Sequence, residues 1–151
     1  MTVINEAAAY TKGIYGQIAR KSTGTLAATT IPLFTIAGGL VSITSIVGEV
    51  TTSITVANSY KLQANPTTGT TKDLVTATDI GTTDTLAGSL LGFDGVTASS
   101  IQQGPGAVPM LLRPIAVNTG QIESVSAGTD GVIVWTVTWV PLTDGATLVA
   151  A

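Results

Sequence analysis

Cysteine and histidine are both missing from this chain of 151 residues. Without cysteine the chain cannot form disulfides or thiolate metal sites. Without histidine it lacks the commonest general base and the commonest metal ligand. Most pairings of a nucleophile with a base are therefore excluded, and a Ser–Lys pair would need one of only four lysines to be buried and deprotonated. No nucleophile elbow, Walker A loop or dinucleotide-binding glycine loop occurs in the sequence. We therefore predict that the chain is not an enzyme and uses no cofactor.

Charged residues are also scarce. They make up 10% of the chain, against about 25% in an ordinary soluble domain. Hydrophobic residues make up 44%, and the mean hydropathy is +0.48. No apolar run approaches the roughly 20 residues that a membrane span needs, so we expect no membrane partner. The composition instead favours a protein whose surface is largely covered by neighbouring molecules.

The distribution of charge argues against two further classes. The net charge is −3 and the six basic residues are scattered, apart from the pair Arg20-Lys21, so no basic patch for nucleic acid is present. The first residues include Glu6 and lack the apolar stretch of a secretory signal. We expect the chain to be made and kept in a cytoplasm until it is assembled.

The acidic residues are typical of turns. Asp-Gly occurs at 94–95, 130–131 and 144–145, where aspartate caps its own backbone and glycine accepts a positive φ. A calcium site built from loop aspartates is the alternative, although no EF-hand pattern supports it. A glycosidase needs only two carboxylates, so the count of acids does not formally exclude one.

Threonine is the most frequent residue and glycine occurs 17 times, which indicates short strands joined by tight turns. We predict strands at 16–21, 29–37, 40–50, 121–126 and 132–140. Gly38-Gly39 predicts a hairpin between the second and third of these. Pro32 indicates a sheet edge or a bulge, and the apolar residues on both faces of 40–50 indicate two-sided burial or a bulge near Gly48.

The segment 132–140 alternates most clearly. Ile133, Trp135, Val137 and Trp139 share one face, and Val132, Val134, Thr136 and Thr138 share the other. This spacing places the two tryptophans in the core. A carbohydrate-binding platform is the alternative if their face were exposed.

Residues 1–15 differ from the rest and form a predicted N-terminal arm. Asn5 could cap one or two helical turns there, which would be marginal alone and would need a docking surface. Residues 16–151 form one predicted all-β domain, an antiparallel β-sandwich or small barrel. The candidate assembly contacts are Ile4, Tyr10, Ile14, Tyr15, Arg20 and Lys21.

Two segments carry a family resemblance: GTLAATTIPLFTIAGGLVSITSIVGEVTT at 24–52 and WTVTWVPLTDGATLVAA at 135–151. Their strand patterns and the closing V-P-L-x-D-G-A phrase resemble small virion structural proteins of tailed bacteriophages. The resemblance implies a capsid decoration (cement) protein on the capsid exterior, bound to the major capsid protein and to copies of itself, as a homotrimer. A tail tube, baseplate or fibre subunit and a glycan-binding module at the virion surface are the alternatives.

Overall fold

The computed structural model describes residues 15–151, and within them the chain is built from strands. The predicted helical turn and the candidate contacts Ile4, Tyr10 and Ile14 lie outside the described residues. Twelve strands occur in residues 15–151: β1 (Gln17–Thr25), β2 (Thr30–Ala37), β3 (Val41–Thr52), β4 (Ser59–Pro66), β5 (Lys72–Asp73), β6 (Thr78–Asp79), β7 (Ser89–Gly92), β8 (Gln102–Pro105), β9 (Ile115–Val117), β10 (Gly120–Val125), β11 (Val132–Pro141) and β12 (Thr147–Ala150).

The strands form two sheets of six, and the sheets pack against each other. Sheet A has the order β1-β11-β3-β7-β8, with β9 also paired to β3. Sheet B has the order β12-β2-β10-β4-β5, with β6 also paired to β4. Every pairing between these strands is antiparallel. The predicted antiparallel β-sandwich is thus confirmed, and residues 15–151 form no closed barrel.

The core lies between the sheets and is organised around β11. Ile133, Trp135, Val137 and Trp139 are all buried, as the alternation predicts. The Trp135 ring stacks on Tyr60 from sheet B, with ring centroids 6.2 Å apart and planes 7° apart. On the neighbouring strand Gly48 leaves room for the indole, since a Cβ there would lie 3.1 Å from two of its ring carbons. The absence of a side chain at Gly48 therefore leaves space for the indole of Trp135, the largest side chain of the core, against the neighbouring strand.

The predicted hairpin between 29–37 and 40–50 is wrong. Both strands exist close to their predicted bounds, but β2 pairs with β10 and β12 in sheet B while β3 pairs with β11, β7 and β9 in sheet A. Gly38 and Gly39, with φ of 77° and 137°, carry the chain from one sheet to the other. The Leu40 N–H donates to the Thr143 hydroxyl across this connection instead of to a hairpin partner.

Bulges account for the irregular strand patterns. Thr138 lies opposite Ser45 and Trp139 opposite Ile43, so Thr44 is the extra residue in β3. The sequence predicts a bulge near Gly48, and the bulge at Thr44 lies four residues before that glycine. It returns Ile43 and Ile46 to the same buried face. In β2 the register also shifts, between Phe34 and Pro32, which confirms the bulge expected from the proline.

Candidate interaction surface

Three of the described aspartates, Asp79, Asp94 and Asp130, accept hydrogen bonds from backbone N–H groups. The Asp130 carboxylate accepts hydrogen bonds from the Thr55 hydroxyl at 2.7 Å, the Thr55 N–H at 2.8 Å and the Val56 N–H at 3.3 Å. The Thr55 hydroxyl and backbone N–H groups stabilise the charged form and hold the pKa of Asp130 below its usual range. Asp79 likewise accepts from the N–H groups of Asn58, Gly81 and Thr82. Asp79 thus caps its own turn through Gly81 and Thr82, whereas Asp130 binds a segment 75 residues away in the sequence, which the turn interpretation did not predict.

Metal ligation finds no support in the same carboxylates. Within residues 15–151, no group of three or more acidic side chains is arranged to hold a metal ion. Asp94 accepts from the Val96 N–H and the Ser99 hydroxyl, both at 2.8 Å, so its oxygens close a loop of the chain itself. The carboxylates of Asp94 and Asp130 thus hold loops of the chain in place, Asp94 within its own loop and Asp130 across to Thr55 and Val56.

The two tryptophans offer no surface for stacking a sugar ring. Trp135 is fully buried and Trp139 is 3% exposed. The Trp135 indole N–H donates to the Tyr60 hydroxyl at 2.8 Å inside the core. The core assignment is confirmed, and the tryptophan platform that the glycan-binding alternative required is not present.

The outer face of sheet A is the side turned away from the core, and it is nearly free of charge. The register places Ile18 opposite Thr138, Arg20 opposite Thr136, and Ser22 opposite Val134 on this side. Thirteen of the residues on this side include six that are aliphatic and five that are serine or threonine. The set comprises Ile18, Arg20, Ser22, Ser42, Ser45, Val47, Glu49, Leu90, Val132, Val134, Thr136, Thr138 and Val140.

The remaining two residues of this face form an ion pair. Arg20 Nη2 donates to Glu49 Oε2 at 3.2 Å, across the intervening strand β11, and the two side chains are 60% and 48% exposed. An exposed pair of this kind adds little to stability, because water screens it and two long side chains must be held in place. Arg20, one of the predicted contacts, therefore lies on the edge strand β1, and together with Glu49 on β3 it supplies the charge of this sheet face.

Lys21 lies on the opposite side of β1 from Arg20. Its ammonium donates to the carbonyl of the C-terminal residue Ala151 and so ties β1 of sheet A to the end of sheet B. Arg20 and Lys21 are adjacent in sequence, but the alternation of a strand separates them, and they do not form one basic site.

A second surface, the apolar end, comprises Tyr15, Ile18, Leu40 and Leu142. β1 begins, β11 ends and β3 begins at this end of sheet A, since Gln17 pairs with Trp139 and Val41 with Pro141. The four side chains are exposed by 78%, 72%, 40% and 57%. The Leu142 N–H donates to the Leu40 carbonyl at 2.9 Å, which fixes two of them side by side.

Tyr15 is the one predicted arm contact that the structure describes, and it belongs to the apolar end. Sequence reasoning did not single out Leu40 and Leu142, because each adjoins a turn signal and no periodic pattern marks it as exposed. A hydrophobic residue directly after a glycine or proline that interrupts the strands, as Leu40 follows Gly39 and Leu142 follows Pro141, is the signal that could have found them.

Comparisons with protein-family models, with curated proteins and with solved structures gave no match to this chain. Residues 15–151 contain no helix with the length and hydrophobicity that spanning a membrane requires.

Proposed function

We propose that this chain is a virion structural protein, a capsid decoration protein that binds the major capsid lattice from outside and stabilises it. The observation that carries the proposal is the apolar end, where four large exposed side chains lie at one end of sheet A and one of them, Tyr15, directly follows residues 1–14 in the chain. Exposed apolar clusters rimmed by polar residues mark interaction sites. The low charge of the whole chain supports the same conclusion.

The mechanism of such a protein is mechanical. Each copy buries apolar surface against neighbouring capsomers and so opposes their separation, and stable contacts of this type bury about 1,200–2,000 Å² in total. Many copies on one particle act together, because a bound lattice presents its sites at high effective concentration. No catalytic step is part of the proposal.

Leu142→Glu tests the apolar end directly. We expect this variant to fold and to bind particles at least about tenfold more weakly, since a charge would then be buried at the contact. Leu86→Glu is the matched control, because Leu86 is similarly exposed, at 61%, but lies in a different loop. The measurement is occupancy on purified virions that lack the wild-type chain, determined by sedimentation with the particles. Equal binding of both variants would contradict a role for the apolar end.

Deletion of residues 1–15 tests the predicted arm. We expect weaker particle binding with the β domain still folded, as judged by circular dichroism. If the shortened chain saturates particles with unchanged affinity, the arm is not a contact element.

Electron microscopy of the virion, with this chain located in the map, distinguishes the remaining possibilities. Density on the outer capsid surface is the expected result. Density in the tail tube, baseplate or fibres would replace the decoration role with a tail role, and rings or stacks of the purified protein would favour a tube subunit.

A further inference from the structure

The outer face of sheet A differs from the outer face of sheet B. The sheet B face carries Lys61 and Asp73, paired at 2.7 Å, and also the carboxylate of Glu123, which accepts from Gln63 and Asn65. The sheet A face has short valine, threonine and serine side chains along β11 and β3, most of them half-buried by their neighbours. Such side chains have little rotamer freedom to lose when they are covered.

The geometry points to pairing of two copies of this chain through the outer faces of sheet A. The two-fold axis lies between the two faces and runs parallel to β11. Face-to-face packing of sheets whose strands stay roughly aligned is a standard arrangement, with the sheets about 10 Å apart. A two-fold axis makes the contact isologous, so the same patch must complement itself.

The ion pair supplies that self-complementarity. Arg20 is on β1 and Glu49 is on β3, and these strands flank β11 on opposite sides. Rotation about β11 exchanges the two flanking strands, so each Arg20 lies over the other copy's β3 and can exchange its own Glu49 for that of the other copy. The single positive and single negative charge of the face are thus both matched across the contact.

The size of the face is adequate for a stable dimer. Rotation about β11 superposes three strands of each copy, β1, β11 and β3, and at roughly 4.8 Å spacing and ten residues of roughly 3.4 Å each these outline about 500 Å² of flat sheet. Accessible surface exceeds the flat outline of a side-chain-covered sheet, which brings the face to the scale of about 800 Å² per partner in standard interfaces.

Charge reversal tests the pairing in the full-length chain without particles. By sedimentation equilibrium we expect wild type to form dimers, and Arg20→Glu and Glu49→Arg each to weaken dimerisation by about tenfold or more, because like charges would then face each other. An equimolar mixture of the two variants should form heterodimers with affinity close to that of wild type. The double variant R20E/E49R should also dimerise.

Thr136→Arg and Thr35→Arg form a matched pair of further variants. Both threonines are half-buried on inner strands, but Thr136 faces outward from sheet A and Thr35 outward from sheet B. We expect T136R to be folded and monomeric and T35R to dimerise like wild type. Circular dichroism and thermal unfolding establish the fold of each variant.

Several outcomes would overturn the pairing. These are a wild-type monomer at all accessible concentrations, a trimer, or single charge reversals that associate as wild type does. Recovery of dimers only when residues 1–14 are deleted would identify the chain's own N-terminal segment as the occupant of the face. The proposed capsid role does not depend on this result, because a monomer could also decorate particles through the apolar end.

Discussion

At the scale of single residues, Asn58 connects two loops in the interior. It is fully buried, its amide donates to the Ser126 hydroxyl at 3.0 Å, and its carbonyl accepts from the N–H groups of Ala127 and Gly128 at 3.0 and 2.9 Å. Gly128 packs so closely that a Cβ there would lie 2.7 Å from the Asn58 side chain. This one amide thus satisfies the backbone of the connection between β10 and β11.

Asn58→Ala should lower the free energy of unfolding by about 2–4 kcal/mol, because two buried N–H groups lose their acceptor. Urea denaturation followed by tryptophan fluorescence measures the change. Asn118→Ala is the control, since Asn118 is exposed and its oxygen accepts only from the neighbouring Thr119 N–H. A loss at Asn58 no larger than the one at Asn118 would show that the loop backbone finds other partners.

Tyr60 is the buried titratable group of the core. Burial raises the pKa of its phenol well above the ordinary value, against the hydrogen bond from the Trp135 indole N–H, which acts the other way. Below pH about 10 both folded and unfolded chains hold the proton, so the full contribution to stability is present. Above that pH the unfolded chain ionises while the folded one resists, and stability falls as pH rises.

Tyr60→Phe should therefore reduce the loss of stability between about pH 9 and pH 11. At neutral pH the variant should be less stable than wild type by about 1–3 kcal/mol, since the Trp135 N–H loses its acceptor in the core. Denaturant unfolding at a series of pH values measures both effects. Parallel pH profiles for the two proteins would show that Tyr60 is not the group responsible.

At the scale of elements, the connection between β2 and β3 decides which sheet each strand joins. Gly39 has a φ of 137°, and a Cβ there would lie 2.5 Å from the Thr143 Cβ. Thr143 in turn accepts from the Leu40 N–H at 3.0 Å. The turn after β11 therefore packs closely against the arch, which is the connection between β2 and β3 that crosses from sheet B to sheet A.

Gly39→Ala should destabilise the protein by about 2–4 kcal/mol, combining backbone strain with a clash that moves Thr143. Gly24→Ala separates the two terms, because Gly24 also has a positive φ, 65°, but no atom lies within 4 Å of the place that an alanine methyl group would take there. We expect that control to lose only about 1 kcal/mol. Thermal unfolding of both variants gives the comparison, and equal losses would mean that the close contact with Thr143 costs nothing.

The same arch shows what local sequence can and cannot predict. The periodicity of β2 and β11 and the turn residues between strands are local properties, so strand positions and the buried tryptophans followed from them. A diglycine fits both a hairpin and an arch between sheets. The choice depends on partners about a hundred residues away, such as Thr143, and no local pattern carries that information.

The candidate surfaces likewise have a part that local sequence predicts and a part that depends on long-range pairing. The alternation in β11 is enough to place Val134, Thr136 and Thr138 on one face. That this face meets Arg20 on one side and Glu49 on the other depends on β11 lying between β1 and β3. Strand order in a sheet is a long-range property, and for this reason the ion pair was not predicted.

At the scale of the whole molecule, β11, the last long strand in the chain, completes sheet A. β11 is flanked by β1 and β3, and it contributes both tryptophans to the core. Sheet A therefore has no continuous hydrogen-bonded path from β1 to β3 until residues 132–141 are present. Long-range antiparallel pairing of this kind is typical of domains that fold in milliseconds to seconds.

Truncation after Gly131 should abolish folding, whereas truncation after Pro141 should leave a folded but less stable protein. The shorter chain lacks the central strand of sheet A and both tryptophans. The longer one lacks Leu142 and Thr143, which hydrogen-bond with Leu40, and also β12, which pairs only with Phe34–Ala37 at the edge of sheet B and buries Leu148. Dispersed amide signals in NMR spectra report folding, and urea midpoints rank the longer chain against wild type. Native-like dispersion in the chain that ends at residue 131 would mean that β1 and β3 close sheet A without β11, and the central role of that strand would then be wrong.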